Sequence, residues 1–190
     1  AEAGVPVVGL IDSVAADLNS ECVGVLATPA TAASGAYRRA IHACRPHTSV
    51  LEVACPTFVP LIEAGDLQSP ALIGEANAYL EPLLTAGVDT VVLGCTHYPM
   101  LRPLLTALLP PHVRLVDPAE SAVRRLGPLL ASMGGMPEGE LAAVEVVSPA
   151  ERTRVCVSGS AEAFADGASR WLGYRPAVEQ VDLRSMGRAF

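Results

Sequence analysis

A thiol, a hydroxyl and an imidazole occupy consecutive positions at Cys95-Thr96-His97, directly after Val91-Val92-Leu93-Gly94. Three aliphatic residues in a row read as a central strand, and Gly94 lets the backbone turn sharply where that strand ends. In parallel α/β sheets this end of a strand is where ligands bind. A cysteine there, beside a histidine and close to a helix start, can have its acidity raised enough to supply thiolate. The run therefore suits a base or a nucleophile. The competing reading of Cys95 is a small core residue.

Thr28 and Thr31 form a second candidate group, in Gly24-Val25-Leu26-Ala27-Thr28-Pro29-Ala30-Thr31, where a strand hands over to a helix. Backbone N–H groups at such a point attract a carboxylate, and threonine hydroxyls add donors. The alternative is a helix cap at Thr31 and strand-end packing at Thr28. His42, His47 and His112 sit in no motif and read as surface or capping residues. Ser158-Gly159-Ser160 reads as a capping turn ahead of a anion site.

Composition narrows the function classes. The 190 residues carry a net charge of −7, which argues against nucleic acid as a partner, and all 13 basic residues are arginine. No apolar run reaches the ~18 residues of a spanning helix, so no membrane segment is expected. With no basic start to suggest a signal peptide, the expected location is the cytoplasm. The five cysteines, at 22, 44, 55, 95 and 156, make no CxxC pair and read as free thiols. His42, Cys44, His47, Cys95 and His97 match no zinc spacing, so no metal site is expected.

The elements that must hold these residues alternate between strand and helix. Strands are expected at 5–11, 23–27, 49–54, 90–93, 113–116 and 154–158. Helices are expected from 13 to 19 with Ser13 as cap, from 32 to 43 with Thr31 as cap, and from 69 to 86 with Ser69 as cap and Pro70 at the first position. Further helices follow at 99–109, 120–133 and 161–172, with a possible kink at Pro128 and a linker at 134–140. A loop marked by Pro56 separates the third strand from the helix after it. This alternation predicts an α/β fold with largely parallel sheets.

Three segments together resemble the glutamate racemase family of the aspartate/glutamate racemase superfamily. They are Gly94-Cys95-Thr96-His97-Tyr98-Pro99, the threonine loop at 24–31, and Ala54-Cys55-Pro56-Thr57-Phe58-Val59-Pro60-Leu61-Ile62-Glu63. Their order and spacing follow the family, and the likeness runs from about Val5 to Gly173. The resemblance implies two similar flavodoxin-like lobes facing each other across the substrate. Residues 13–116 would form one nearly complete lobe; 1–12 and 117–190 would belong to the other. The family's opening Asp-Ser-Gly loop and its first cysteine, in a Cys-Asn-Thr setting, are not found here. The chain is thus expected to be a racemase without its N-terminal segment, and inactive in isolation.

By the same resemblance the activity is interconversion of L- and D-glutamate for peptidoglycan, with no pyridoxal phosphate, metal or nucleotide. Two cysteines would act as bases on opposite faces of the α-carbon. Cys95 would be one of them, deprotonating L-glutamate. Thr96, with Thr28 and Thr31, would bind the substrate carboxylate. His97 would bind or protonate groups near Cys95, with Glu63 as its carboxylate partner or as an ordinary exposed acid. Cys55 lies in a family motif and reads as a packing residue; Cys22, Cys44 and Cys156 read as structural. A homodimer is a possible assembly. The alternatives are a sister racemase acting on aspartate or hydantoins, and a non-catalytic, racemase-derived binding module.

Overall fold

The computed structural model describes residues 6–133 and 153–183. The chain divides into two compact units, Ala1–Pro137 and Glu138–Phe190. In the first, the order is α1 (Leu10–Asp17), β1 (Cys22–Ala27), α2 (Pro29–Ser34), α3 (Ala36–Cys44), β2 (Ser49–Ala54), α4 (Phe58–Glu63), α5 (Pro70–Thr85) and β3 (Thr90–Leu93). A 3₁₀ turn at Tyr98–Leu101, α6 (Arg102–Leu108), β4 (Arg114–Val116) and α7 (Pro118–Ser132) complete it. The four strands form one parallel sheet in the order β2-β1-β3-β4.

Alternation along β1 and β3 sends side chains to two separate cores, as a parallel sheet covered on both faces requires. Leu26, Val91 and Leu93 pack on one face with Phe58, Leu72, Leu80, Leu83, Tyr98 and Leu105. Val23, Val25 and Val92 pack on the other with Val14, Leu18, Tyr37 and Ile41. The pairing of β3 with β1 sets Leu93 opposite Leu26, so both strands end side by side. The segments that follow them, Thr28 to Thr31 at the start of α2 and Gly94 to His97, are thereby brought to the same edge.

The expected strand at 5–11 is corrected. Among its described residues, Pro6 to Gly9 form no element and Leu10 and Ile11 already belong to α1. Val14, Ala15 and Leu18 are buried at helical spacing, and this period overrides the β-branched composition of the run before it. Ser13 lies inside α1 and does not cap it; its hydroxyl donates to Gly9 O at 2.6 Å.

The expected helix at 32–43 is two helices. They are separated at Gly35, whose φ of 63° only glycine adopts freely. Thr28, not Thr31, supplies the cap, accepting from Thr31 N at 3.4 Å, with Pro29 at the first helical position. The loop expected after Pro56 contains α4. The helix at 99–109 begins as a 3₁₀ turn, and the helix at 120–133 starts earlier, at Pro118, with Asp117 as its cap. Ser69 caps α5 as expected, accepting from Leu72 N at 3.1 Å.

In the second unit, β5 (Val155–Val157) and β6 (Val178–Gln180) form a two-stranded parallel sheet connected through α8 (Ala161–Leu172). β6 lies where the sequence pattern predicts no strand. Ser160 caps α8 by accepting from Ala163 N at 3.2 Å, which accounts for the Ser-Gly-Ser turn. The expected linker at 134–140 lies outside the described residues. Among the described residues no helix is long and apolar enough to cross a membrane.

Candidate active site

Gly94 decides where Cys95 can sit. Its N–H donates to Leu26 O at 2.7 Å, and a Cβ on it would come within 2.7 Å of that same oxygen and 3.0 Å of Val25 Cγ1. Only glycine lets β3 run this close to β1 at its last rung. The chain then leaves the sheet, and Cys95 O accepts from Tyr98 N at 3.1 Å while His97 O accepts from Met100 N at 3.1 Å. This tight turn folds His97 back over the thiol. Tyr98, fully buried, anchors it from below: its ring meets Phe58 edge-on, and its hydroxyl donates to Cys55 O at 3.1 Å.

The resulting geometry joins three chemical groups. Cys95 Sγ lies 3.8 Å from His97 Nδ1, and His97 Nε2 lies 3.3 Å from Glu63 Oε1 at the end of α4. The imidazole is about one-third exposed and the carboxylate about two-thirds exposed. A thiol and an imidazole within reach of each other can exchange a proton, and such contacts are often loose before substrate binds.

Beside this group lies a cavity of about 400 Å³, walled by Thr31, Tyr37, Gly94, Cys95, Thr96 and Asp117 together with apolar residues such as Ile11 and Leu93. Among the described residues lining it none is basic. An anion held there would depend on hydroxyls and backbone N–H groups. Thr96 and Thr31 are thus brought to one wall with Cys95. Thr28 stands behind them: its hydroxyl donates to Thr31 Oγ1 at 3.0 Å and fixes that side chain. His97 and Glu63 are not part of the cavity lining.

Two cavity residues escaped the sequence reading. Asp117 follows β4 and caps α7 by accepting from Ala119 N at 2.9 Å; its place at a strand end was a readable signal. Tyr37 had none, because its position depends on the break at Gly35. Burial, with the charges of Cys95, Asp117 and Glu52 adding to it, pushes the Tyr37 phenol up to about 12. Burial also pushes the Cys55 thiol up to about 12, in keeping with a packing residue. The five cysteines are free thiols; Cys44 and Cys156 are exposed and Cys22 and Cys95 half-buried. Among the described residues no three His, Cys, Asp or Glu side chains gather as metal ligands.

Residues 1–126 match the Asp/Glu/Hydantoin racemase family, a stretch that contains all four strands of the first sheet and the Cys95 turn. The chain belongs to that family. A protein named glutamate racemase from Synechococcus sp. is 51% identical over 177 residues, covering 93% of this chain and 65% of the relative. The crystal structure of a glutamate racemase isoform from Bacillus anthracis superposes with a TM-score of 0.81 at 28% identity, over 96% of this chain and 66% of that one. The glutamate racemase of Francisella tularensis, solved in complex with D-glutamate, gives a TM-score of 0.78 at 28% identity, with the same coverage. The chain spans less than two thirds of the length of the relatives it matches. The α/β fold with a parallel sheet is therefore the racemase family's fold.

Proposed function

We propose that this chain carries one of the two proton-transferring sites of an enzyme that interconverts L- and D-glutamate. The observation that carries this reading is the Cys95 thiol at the end of β3, on a cavity wall and 3.8 Å from His97 Nδ1. Relatives named glutamate racemase support glutamate as the substrate.

Inversion at an α-carbon removes a weakly acidic proton from one face and returns one to the other. A thiol serves because thiol and thiolate interconvert near neutral pH once the acidity is tuned. In this reading Cys95 takes the proton of L-glutamate, and a second cysteine acts from the opposite face. Thr96 and Thr31 bind the substrate carboxylate, and Thr28 holds Thr31 in place. His97, set by Glu63, accepts or returns the thiol proton. The reaction needs no pyridoxal phosphate, metal or nucleotide. It supplies D-glutamate for peptidoglycan in the cytoplasm, from a homodimer.

The test is glutamate racemisation followed by circular dichroism on the full-length protein, with aspartate and a 5-substituted hydantoin as rival substrates. Cys95→Ala is expected to lower turnover on the order of 10³-fold. Activity that survives this change removes Cys95 from the mechanism, and faster turnover of aspartate or hydantoin replaces the substrate. A preparation of these 190 residues alone is expected to give no net inversion, because a one-base site returns the proton to the face it left. Glutamate binding without turnover in the full-length protein would instead favour a racemase-derived binding module.

A further inference from the structure

Asp117 has no part in the reaction proposed above, yet it lines the same cavity as Cys95 and Thr96. Its place is set by the sheet. Val116 at the end of β4 pairs with Val92 on β3, so the chain leaves the sheet at Asp117 one rung on, beside Leu93 and Gly94. Neighbouring strands lie about 4.8 Å apart, which keeps the two strand ends within the span of a small ligand. Among the described residues lining the cavity, Asp117 is the one with a carboxylate, and none is basic.

The fold uses only part of this carboxylate. Oδ1 accepts from Ala119 N at 2.9 Å, and Pro118 has no N–H to give. Among the described residues Oδ2 has no hydrogen bond, and no arginine pairs with Asp117. The acids around it are matched: Glu120 with Arg102 at 2.8 Å, Asp17 with Arg124 at 2.9 Å, and Glu63 with His97 at 3.3 Å. Glu52 keeps a buried oxygen without a partner, but it does not line the cavity. A carboxylate and a thiol on the walls of one cavity without a basic side chain leave a deficit of positive charge, which a bound cation fills.

An amino-acid substrate supplies that cation. Its ammonium is one bond from the carbon whose proton is exchanged, so a group that holds the nitrogen must share a cavity with the base. Asp117 meets this condition with Cys95. We infer that Asp117 is the binding residue for the substrate's α-ammonium: Oδ2 accepts from its N–H groups while Thr31 and Thr96 hold the carboxylate. This rests on the amino-acid substrate proposed above and deepens it, because the cavity then selects its ligand by the ammonium as well as by the carboxylates. No proton passes to Asp117, and the nitrogen stays an ammonium.

The experiment is titration calorimetry of glutamate and of 2-hydroxyglutarate, which has a hydroxyl in place of the ammonium, on the full-length protein and on Asp117→Asn. Asparagine keeps an oxygen to cap α7 and removes the charge. Asp117→Asn is expected to weaken both glutamate enantiomers roughly 10- to 100-fold and to leave 2-hydroxyglutarate within about twofold. In racemisation the same change should appear as a raised KM more than as a lowered kcat. Equal weakening of the two ligands overturns the proposal, since it means that the cavity itself has altered. Unchanged glutamate affinity overturns it too. If Asp117→Asn does not fold, Asp117→Ser, which also caps helices and carries no charge, decides by the same ratio. The two readings fail apart. Full turnover in Cys95→Ala removes the base and leaves the ratio standing; if aspartate is the better substrate, aspartate and malate give the ratio that judges Asp117.

Discussion

Glu63 Oε1 stands 3.3 Å from Nε2 of His97, tying the end of α4 to the turn that follows β3. The carboxylate's field favours a proton on Nε2, which leaves Nδ1 as an acceptor facing the Cys95 thiol. The pair is open to water, so its coupling is modest. Glu63→Gln, which keeps the shape and removes the charge, should lower kcat/KM for racemisation by about two- to fivefold. His97→Ala removes the acceptor itself and should cost on the order of 10²-fold. Equal losses in the two variants would mean that Glu63 does more than orient the ring; no loss in either would detach the pair from catalysis.

Cys55 and Cys95 should separate cleanly by reactivity. Cys55 is 1% exposed and its thiol is pushed up to about 12 by burial, so almost none is thiolate at pH 8. Its surroundings offer no route for a reagent. Alkylation of the native protein at pH 8 should label Cys95, Cys44 and Cys156 and leave Cys55 unmodified until denaturant is added. Native labelling of Cys55 at a rate near that of Cys95 would contradict its place in the core.

Much of this site could be read from the chain because its parts are local. β3, the Gly-Cys-Thr-His turn and the Ser69 cap each depend on residues adjacent in sequence, and all three form as expected. The strand expected at 5–11 failed because valine-rich composition cannot reveal whether a neighbouring strand is present, whereas Val14, Ala15 and Leu18 had a helical face to bury. Thr31 is a reasonable cap by type, but Pro29 starts the helix three residues earlier and hands the cap to Thr28. Tyr37 was invisible for a different reason. It reaches the cavity only through the helix break at Gly35 and the parallel pairing of β1 with β3, neither of which its own residue type reveals.

Gly94 and Gly74 should respond in opposite directions to the same substitution. A methyl group at Gly94 would sit 2.7 Å from Leu26 O and 3.2 Å from Ala27 Cβ, inside the sheet where neither can retreat. Gly94→Ala is expected to destabilise the protein by about 1–3 kcal/mol and to displace Cys95 with it. Gly74 lies exposed within α5 with nothing within 4 Å of its would-be Cβ. Gly74→Ala should stabilise by about 0.5–1 kcal/mol through a better helix former. Urea unfolding midpoints read both, and a Gly94→Ala protein of unchanged stability would mean that β3 ends differently.

Asp89 ties the opposite end of the sheet, away from the site. Its Oδ2 accepts from Glu21 N at 2.8 Å and Cys22 N at 3.2 Å, just where β1 begins. Burial alone would raise this carboxyl, but the hydrogen bonds from Thr90, the two amides and Ser20 outweigh it and hold it below the ordinary range. A carboxyl depressed on folding stabilises the native state above its unfolded value, near pH 4, and that contribution is lost as pH falls through the lower folded value. Stability should therefore decline from about pH 5 downward, with Asp89 as one source. Asp89→Asn should cost about 1 kcal/mol at pH 7 and flatten the decline below pH 4. Because the cavity beside Cys95 is at the other edge, alkylation of Cys95 at pH 7 should be the same in Asp89→Asn as in the unaltered chain. A slope that persists unchanged in Asp89→Asn would place the acid sensitivity elsewhere, with Asp17, held low chiefly by its hydrogen bond from Arg124, as the next carboxyl to substitute.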